Sequence, residues 1–106
     1  MKFDVRNLRP AKADALKAAA WYDEQQAGLG EAFFDDLDGT IAARRENPQI
    51  YCVRFADVRW IRLKRFASYG VFYLVVGSEV QVLAVHHGTR HPRWLRERRR
   101  RLGESS

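Results

Sequence analysis

All three histidines of this 106-residue chain fall within one stretch, LAVHHGTRHP at 83–92, beside Arg90. Three chemistries compete for them. A metal site needs side chains that converge on one point. His86 and His87 are neighbours on or just after a strand, so they point to opposite faces and only one can join His91. No Cys-x-x-Cys pair or His-x-x-x-His helix supplies further ligands, so no metal and no cofactor is expected. A general base is the second reading. Histidine titrates near neutral pH, and His87 could take the 2′-hydroxyl proton of RNA while Arg90, Arg62 and Lys64 stabilise the phosphate. That reaction also needs an acid for the leaving oxygen. Tyr69 or Tyr73 would have to supply it from an ordinary pKa near 10; both residues equally suit strand packing. The third reading is the polar end of a strand.

The elements that would carry these residues are legible from periodicity. The segment FDVRNL, 3–8, alternates as a half-buried strand. Pro10 suits a first helical turn. Residues 11 to about 26 are rich in Ala, Lys, Glu and Gln and read as a helix, with Ala11, Ala15, Ala18 and Tyr22 on one face. Gly28 and Gly30 interrupt it. A second helix opens at Leu29, with an apolar stripe of Leu29, Phe33, Leu37 and Ile41, and ends at Asn47-Pro48. The two form an antiparallel hairpin. The period then changes to two. Strands are expected over 59–66, 69–76 and 79–85, the second apolar on both faces and therefore central. The sequence from Pro92 onward reads as a short basic helix with a frayed tail. The expected fold is α+β: a strand, a helical hairpin, a three-stranded antiparallel meander and a basic C-terminal helix, in one domain over 1–106 whose basic tail covers about 93–106.

The net charge of +6 is segregated. Residues 1–53 carry 7 Lys/Arg and 9 Asp/Glu, or −2; residues 54–106 carry 12 and 4, or +8. Such a field attracts nucleic acid or acidic protein, the alternative being a solvated surface. If the basic tail binds nucleic acid without sequence preference, affinity falls steeply with salt. No apolar run reaches the roughly 18 residues needed to span a membrane. The N-terminal MKFDVRNLRP lacks the apolar stretch of a signal peptide. Cys52 is the sole cysteine and has no internal disulfide partner, which suits a reducing compartment. A cytoplasmic protein with no membrane partner is expected.

Taken in order, several stretches resemble the RelE/ParE superfamily of type II toxins, and most closely its ParE-like, plasmid-stabilisation branch. They are Ala18-x-x-Trp21-Tyr22-Asp-Glu-Gln25, Gly28-Leu29-Gly30-x-x-Phe33, Ile41 with Asn47-Pro48, Arg65-Phe66-x-x-Tyr69-x-Val71-x-Tyr73, and Val82-Leu83-Ala84-Val85-x-His87-Gly88-x-Arg90-x-Pro92 followed by Trp94. Together they cover roughly residues 3–98. The resemblance implies a growth-inhibiting toxin silenced by a small antitoxin, of ribbon-helix-helix type, whose tail lies along the toxin. Arg59 and Arg65 would hold antitoxin carboxylates, and Phe33 and Leu37 would belong to an apolar hairpin groove. ParE-like members are associated with DNA gyrase, and Arg90, Arg93, Trp94 and Arg98 would form the target surface. RelE-like members cut messenger RNA on the ribosome; that alternative would use Lys64, Tyr69, His87 and Arg90. The chain departs from the RNA-cutting pattern at Gly70, where that pattern carries an arginine. Its paired lysines reduce here to Lys64 with Arg62 as a stand-in, and Trp94 stands near a tyrosine. A non-catalytic toxin is therefore expected, with an inactive interaction module as the remaining reading.

Overall fold

The computed structural model describes residues 2–51, 53–88 and 93–104. The chain runs β1 (Asp4–Asn7), α1 (Arg9–Gln25), α2 (Leu29–Ala42), a 3-10 turn (Pro48–Ile50), β2 (Val53–Phe55), β3 (Val58–Arg62), β4 (Tyr69–Val76), β5 (Glu79–His87) and α3 (Arg93–Glu104). One five-stranded sheet has the order β1-β5-β4-β3-β2. β1 pairs parallel with β5 at one edge, and the other neighbours are antiparallel. The α+β expectation holds.

The helical hairpin forms as its small residues dictate. Pro10 sits in the first turn of α1, where its missing N–H costs nothing. Ala11, Ala15, Ala18 and Ala19 are buried, and their lack of bulk lets α2 approach closely. At the contact, Gly30 donates its N–H to Asp23 Oδ1 at 2.7 Å. A Cβ on Gly30 would lie 2.7 Å from the Ala19 carbonyl oxygen. Backbone cannot step aside as a side chain can. Gly30→Ala is therefore expected to cost about 1–3 kcal/mol, the usual overpacking range, read as a lower urea midpoint with an unchanged slope.

The sheet is covered on both faces. Beneath the hairpin lie Phe33, Leu37, Ile61, Leu63, Val71, Tyr73, Val80, Val82 and Val85. On the opposite face Leu8, Val58, Trp60, Phe72, Leu74, Leu83 and Ala84 close around Leu95 of α3. β4 is central and buried on both sides, as its uniformly apolar sequence requires.

Several expectations need adjusting. The meander gains β2, a strand too short to show alternation; it joins β3 through a turn with Ala56 at φ 47°. α2 stops at Ala42, and residues 43–46 form turns before Pro48. The strand expected over 59–66 ends at Arg62, and 63–68 form a loop. β5 extends two residues past Val85. The short basic helix expected after Pro92 forms over Arg93–Glu104, and its Leu95 is 0% exposed, because the second sheet face needs a cover. No helix of the described residues is long and apolar enough to cross a membrane.

A candidate binding cleft at the end of the sheet

A bulge decides which histidine reaches which face. Phe72 pairs with Ala84 but Tyr73 pairs with Val82, so Leu83 is an extra residue in β5. Val80 and Val82 face the hairpin, Leu83 and Ala84 both turn toward α3, and Val85 returns to the hairpin side. Bulges re-aim side chains in this way. His87 consequently pairs across the ladder with Tyr69, its ring edge-on at 5.5 Å. His86 meets Trp94 at the start of α3, with ring centroids 5.0 Å apart. The two imidazoles remain 4.6 Å from each other around the strand end.

An open cleft of about 710 Å³ lies beside His87, lined by Trp21, Tyr22, Trp60, Arg62, Ser68, Tyr69 and Gly88 among others. Tyr22 and Tyr69, which line it, rest on an aromatic cluster. Tyr22 stacks on Phe33 at 5.5 Å, and Phe66 meets both at 4.7 and 5.5 Å. Asp36 of α2 accepts the backbone N–H groups of Arg65 and Phe66, both at 2.8 Å, which fixes the β3–β4 loop against the hairpin. The Arg65-Phe66-x-x-Tyr69 stretch is thus the loop that locks sheet to helices. Trp21 cannot join this core, since its neighbour Tyr22 takes the inward position; it is 53% exposed at the cleft rim. A planar ring between Trp21 and Tyr69 could stack there, with Arg62 available to an anion.

Among the described residues, the groups named for RNA cleavage are only partly brought together. Tyr73 is 3% exposed and donates its hydroxyl to the Pro48 carbonyl at 2.5 Å; burial pushes its pKa up to about 12. Burial, with Tyr22 adding to it, also raises Tyr69 above the usual phenol value. Lys64 is exposed on the β3–β4 loop and does not line the cleft. Arg90 and His91 lie outside the described residues, as does Cys52. Among the described residues, no cluster of His, Cys, Asp or Glu is arranged to hold a metal.

The residues expected at binding surfaces are dispersed. Arg93 is exposed at the start of α3. Trp94 is half-buried between His86 and the Arg98 guanidinium, which lies 4.6 Å from its ring centroid. Arg98 turns inward, donating to Asp14 at 2.6 Å and to the Leu83 carbonyl at 3.3 Å. Asp14 also accepts the Val85 N–H at 3.1 Å. This pair satisfies part of the β5 edge that β1, stopping at Asn7, leaves uncovered. Arg59 donates to the Tyr51 carbonyl at 2.6 Å, and Arg65 is exposed with its guanidinium 5.4 Å from the Phe66 ring. Phe33 and Leu37 lie in the core, at 0% and 6% exposure. Above them a groove of about 260 Å³ is lined by Ala11, Ala15, Leu16, Phe34 and Leu37. Sequence reasoning missed Leu16 and Trp21, which stand off the buried face of α1, 63% and 53% exposed.

Arg99 clamps the far end of α3. It holds both carboxylate oxygens of Asp57 in the β2–β3 turn, at 2.8 and 2.7 Å. The Arg99 hydrogen bond holds the Asp57 carboxyl below its ordinary value, and Asp57 in turn raises the Arg99 guanidinium above its own. A carboxylate with a depressed folded pKa lends stability above its unfolded pKa and loses it as pH falls through the folded one. Thermal melts should therefore show stability falling as pH drops below about 4. Asp57→Asn should flatten that fall while costing about 1 kcal/mol or less near neutrality, since the pair is half exposed. The Arg99 partner titrates too high to matter in this window.

A helical hairpin on one face of a sheet, a bulged last strand and a covering C-terminal helix make up an α+β fold that is shared with a solved structure. The chain is similar to a solved structure from P. aeruginosa described as a chromosomal ParDE TA system, with a TM-score of 0.73 and 16% identity, covering 83% of this chain and 98% of that one. No family model matches the chain, and no curated protein matches it by sequence.

Proposed function

We propose that this chain is the toxin of a type II toxin–antitoxin pair, acting in the cytoplasm as a ParE-like inhibitor that binds DNA gyrase without catalysis. A cognate antitoxin, of the ribbon-helix-helix type, silences it. The observation that carries the reading is the similarity to the ParDE structure over nearly the whole of that chain. Among the described residues, the two tyrosines weighed as the acid are poorly set for it, which supports a non-catalytic action: Tyr73 is tied to Pro48 and Tyr69 is driven further from neutrality. The antitoxin tail would use the groove beside Leu16 and Phe34, and the exposed Arg65 would hold one of its carboxylates. The target surface would include Arg93 and Trp94, with Arg98 holding α3 in place. Purified chain titrated into a gyrase supercoiling reaction tests this: supercoiling of relaxed plasmid should fail, and uninhibited supercoiling at excess protein would reject gyrase as the target.

One observation favours a second reading. The cleft unites His87, Tyr69 and Arg62, part of what an mRNA endoribonuclease acting with the ribosome needs. Primer extension on translated messages would then show discrete cuts that His87→Ala or Arg90→Ala removes.

A further inference from the structure

We propose that the groove between α3 and the β1–α1 junction docks an acidic, amphipathic peptide segment of a partner protein. The inference stands whether or not gyrase is the target. The groove follows from how α3 meets the sheet. Trp94, Arg98, Arg101 and Leu102 recur along the helix at i, i+4, i+7 and i+8, so they share one side of it. Across from them the chain leaves β1, passes Leu8 and starts α1 with Arg9 and Pro10. Leu83, the bulge residue of β5, completes the lining. The open space among these residues is about 640 Å³.

The lining asks for two chemistries in one ligand. Its apolar part is recessed: Leu83 is 1% and Leu8 8% exposed, with Trp94 and Leu102 half-buried beside them. Such a recess takes a side chain that protrudes from a partner, and a bilayer surface does not reach it. Its polar part is cationic. Arg9 and Arg101 are exposed at the groove, while Arg98 is held to Asp14 as part of the wall. Glu97, the acid in the lining, meets Arg100 at 2.5 Å. The start of α1 adds to this field. It has no side-chain cap and no acidic residue in its first turn, and Arg9 places a like charge beside the positive end of the helix dipole. A partner carboxylate relieves that repulsion. Phosphate would answer the charge equally well, but a nucleic-acid backbone has no aliphatic group to fill the recess. A stacked base would compete with the Arg98 guanidinium, 4.6 Å from the Trp94 ring centroid. A peptide supplies the apolar anchor and the carboxylates together.

The test is fluorescence anisotropy of the full chain with a labelled peptide of about 14 residues, leucines at helical spacing and glutamates between them. The peptide should bind. Replacing its glutamates by glutamine, or its leucines by alanine, should weaken binding at least about tenfold. Arg9→Gln combined with Arg101→Gln should also cost about tenfold, as two exposed ion pairs of ordinary size imply. Leu102→Gln should have a similar effect, with a melting curve recorded alongside; if that variant unfolds, the arginine pair decides. Arg54→Gln, exposed on the far edge strand β2, should leave affinity unchanged. The proposal is overturned by absence of binding, by equal binding of the glutamine peptide, or by an affinity that the Arg9 and Arg101 changes leave intact. Loss of binding on Leu16→Gln alone would put the peptide at the hairpin and overturn it too. So would displacement of the peptide by duplex DNA or phosphatidylserine vesicles that bind the groove more tightly.

Discussion

Phe33→Ala is expected to cost about 3–5 kcal/mol, the usual range for a fully buried aromatic. Phe33 is 0% exposed and touches Tyr22, Phe66 and Tyr69 with ring centroids 5.2 to 5.5 Å away. Its removal leaves a cavity where hairpin, sheet and β3–β4 loop meet. A domain of this size has roughly 5–15 kcal/mol of stability in all, so the variant should populate unfolded states near 37 °C. The damage should also reach the cleft, since Tyr22 and Tyr69 line it and both rest on Phe33. Urea unfolding monitored by tryptophan fluorescence provides the measure. Trp21→Ala is the control, because an exposed position away from the core should stay within about 0.5 kcal/mol. A Phe33→Ala cost below about 1 kcal/mol would mean the hairpin does not pack on the sheet as described.

Gly70→Arg should be at least as damaging, and it separates resemblance from mechanism. The RNA-cutting pattern carries an arginine here, so the substitution looks like a restoration of activity. Yet a Cβ on Gly70 would lie 2.0 to 2.4 Å from three atoms of the Trp60 indole. Trp60 lies across β4 in the second core, packed on Phe72 at 4.7 Å. Any side chain at 70 must displace that ring, which takes the cost beyond the usual 1–3 kcal/mol of overpacking. We expect a loss of more than about 3 kcal/mol and no gain in RNA cleavage. Trp60→Ala should be destabilising alone yet should recover part of the Gly70→Arg loss, with a coupling of about 1–3 kcal/mol between contacting sites. Additive costs, or a stable single variant, would contradict the packing.

The sequence carried the fold because each main element has its own period. The alanine face of α1, the four-residue stripe of α2 and the wholly apolar β4 all lie where their patterns put them. What was not legible depends on partners far along the chain. β2 has three residues and no pattern of its own; it exists because β3 offers an edge. The covering role of α3 is hidden in a run of arginines, where Leu95 is the lone fully buried anchor and two of the cations have their acids at Asp14 and Asp57. The site was legible only in part. His87 and Tyr69 share a cleft, but their pairing across the ladder and the Leu83 bulge beside it leave no mark in the local pattern. Arg98 reads as surface charge in sequence and is an internal tie in the fold. Phe33 reads as groove and is core, while Leu37, though buried, does line a groove, with Leu16 and Phe34 forming the surface beside it.

The proposed function is inhibition by binding, with no covalent change made by the chain itself. Counting viable bacteria after induction of the wild-type chain and of His87→Ala tests it most directly. The account predicts that both arrest growth to the same extent and that co-expression of the cognate antitoxin relieves both. Growth restored by the single imidazole change, with the variant present at wild-type level and folded, would contradict it.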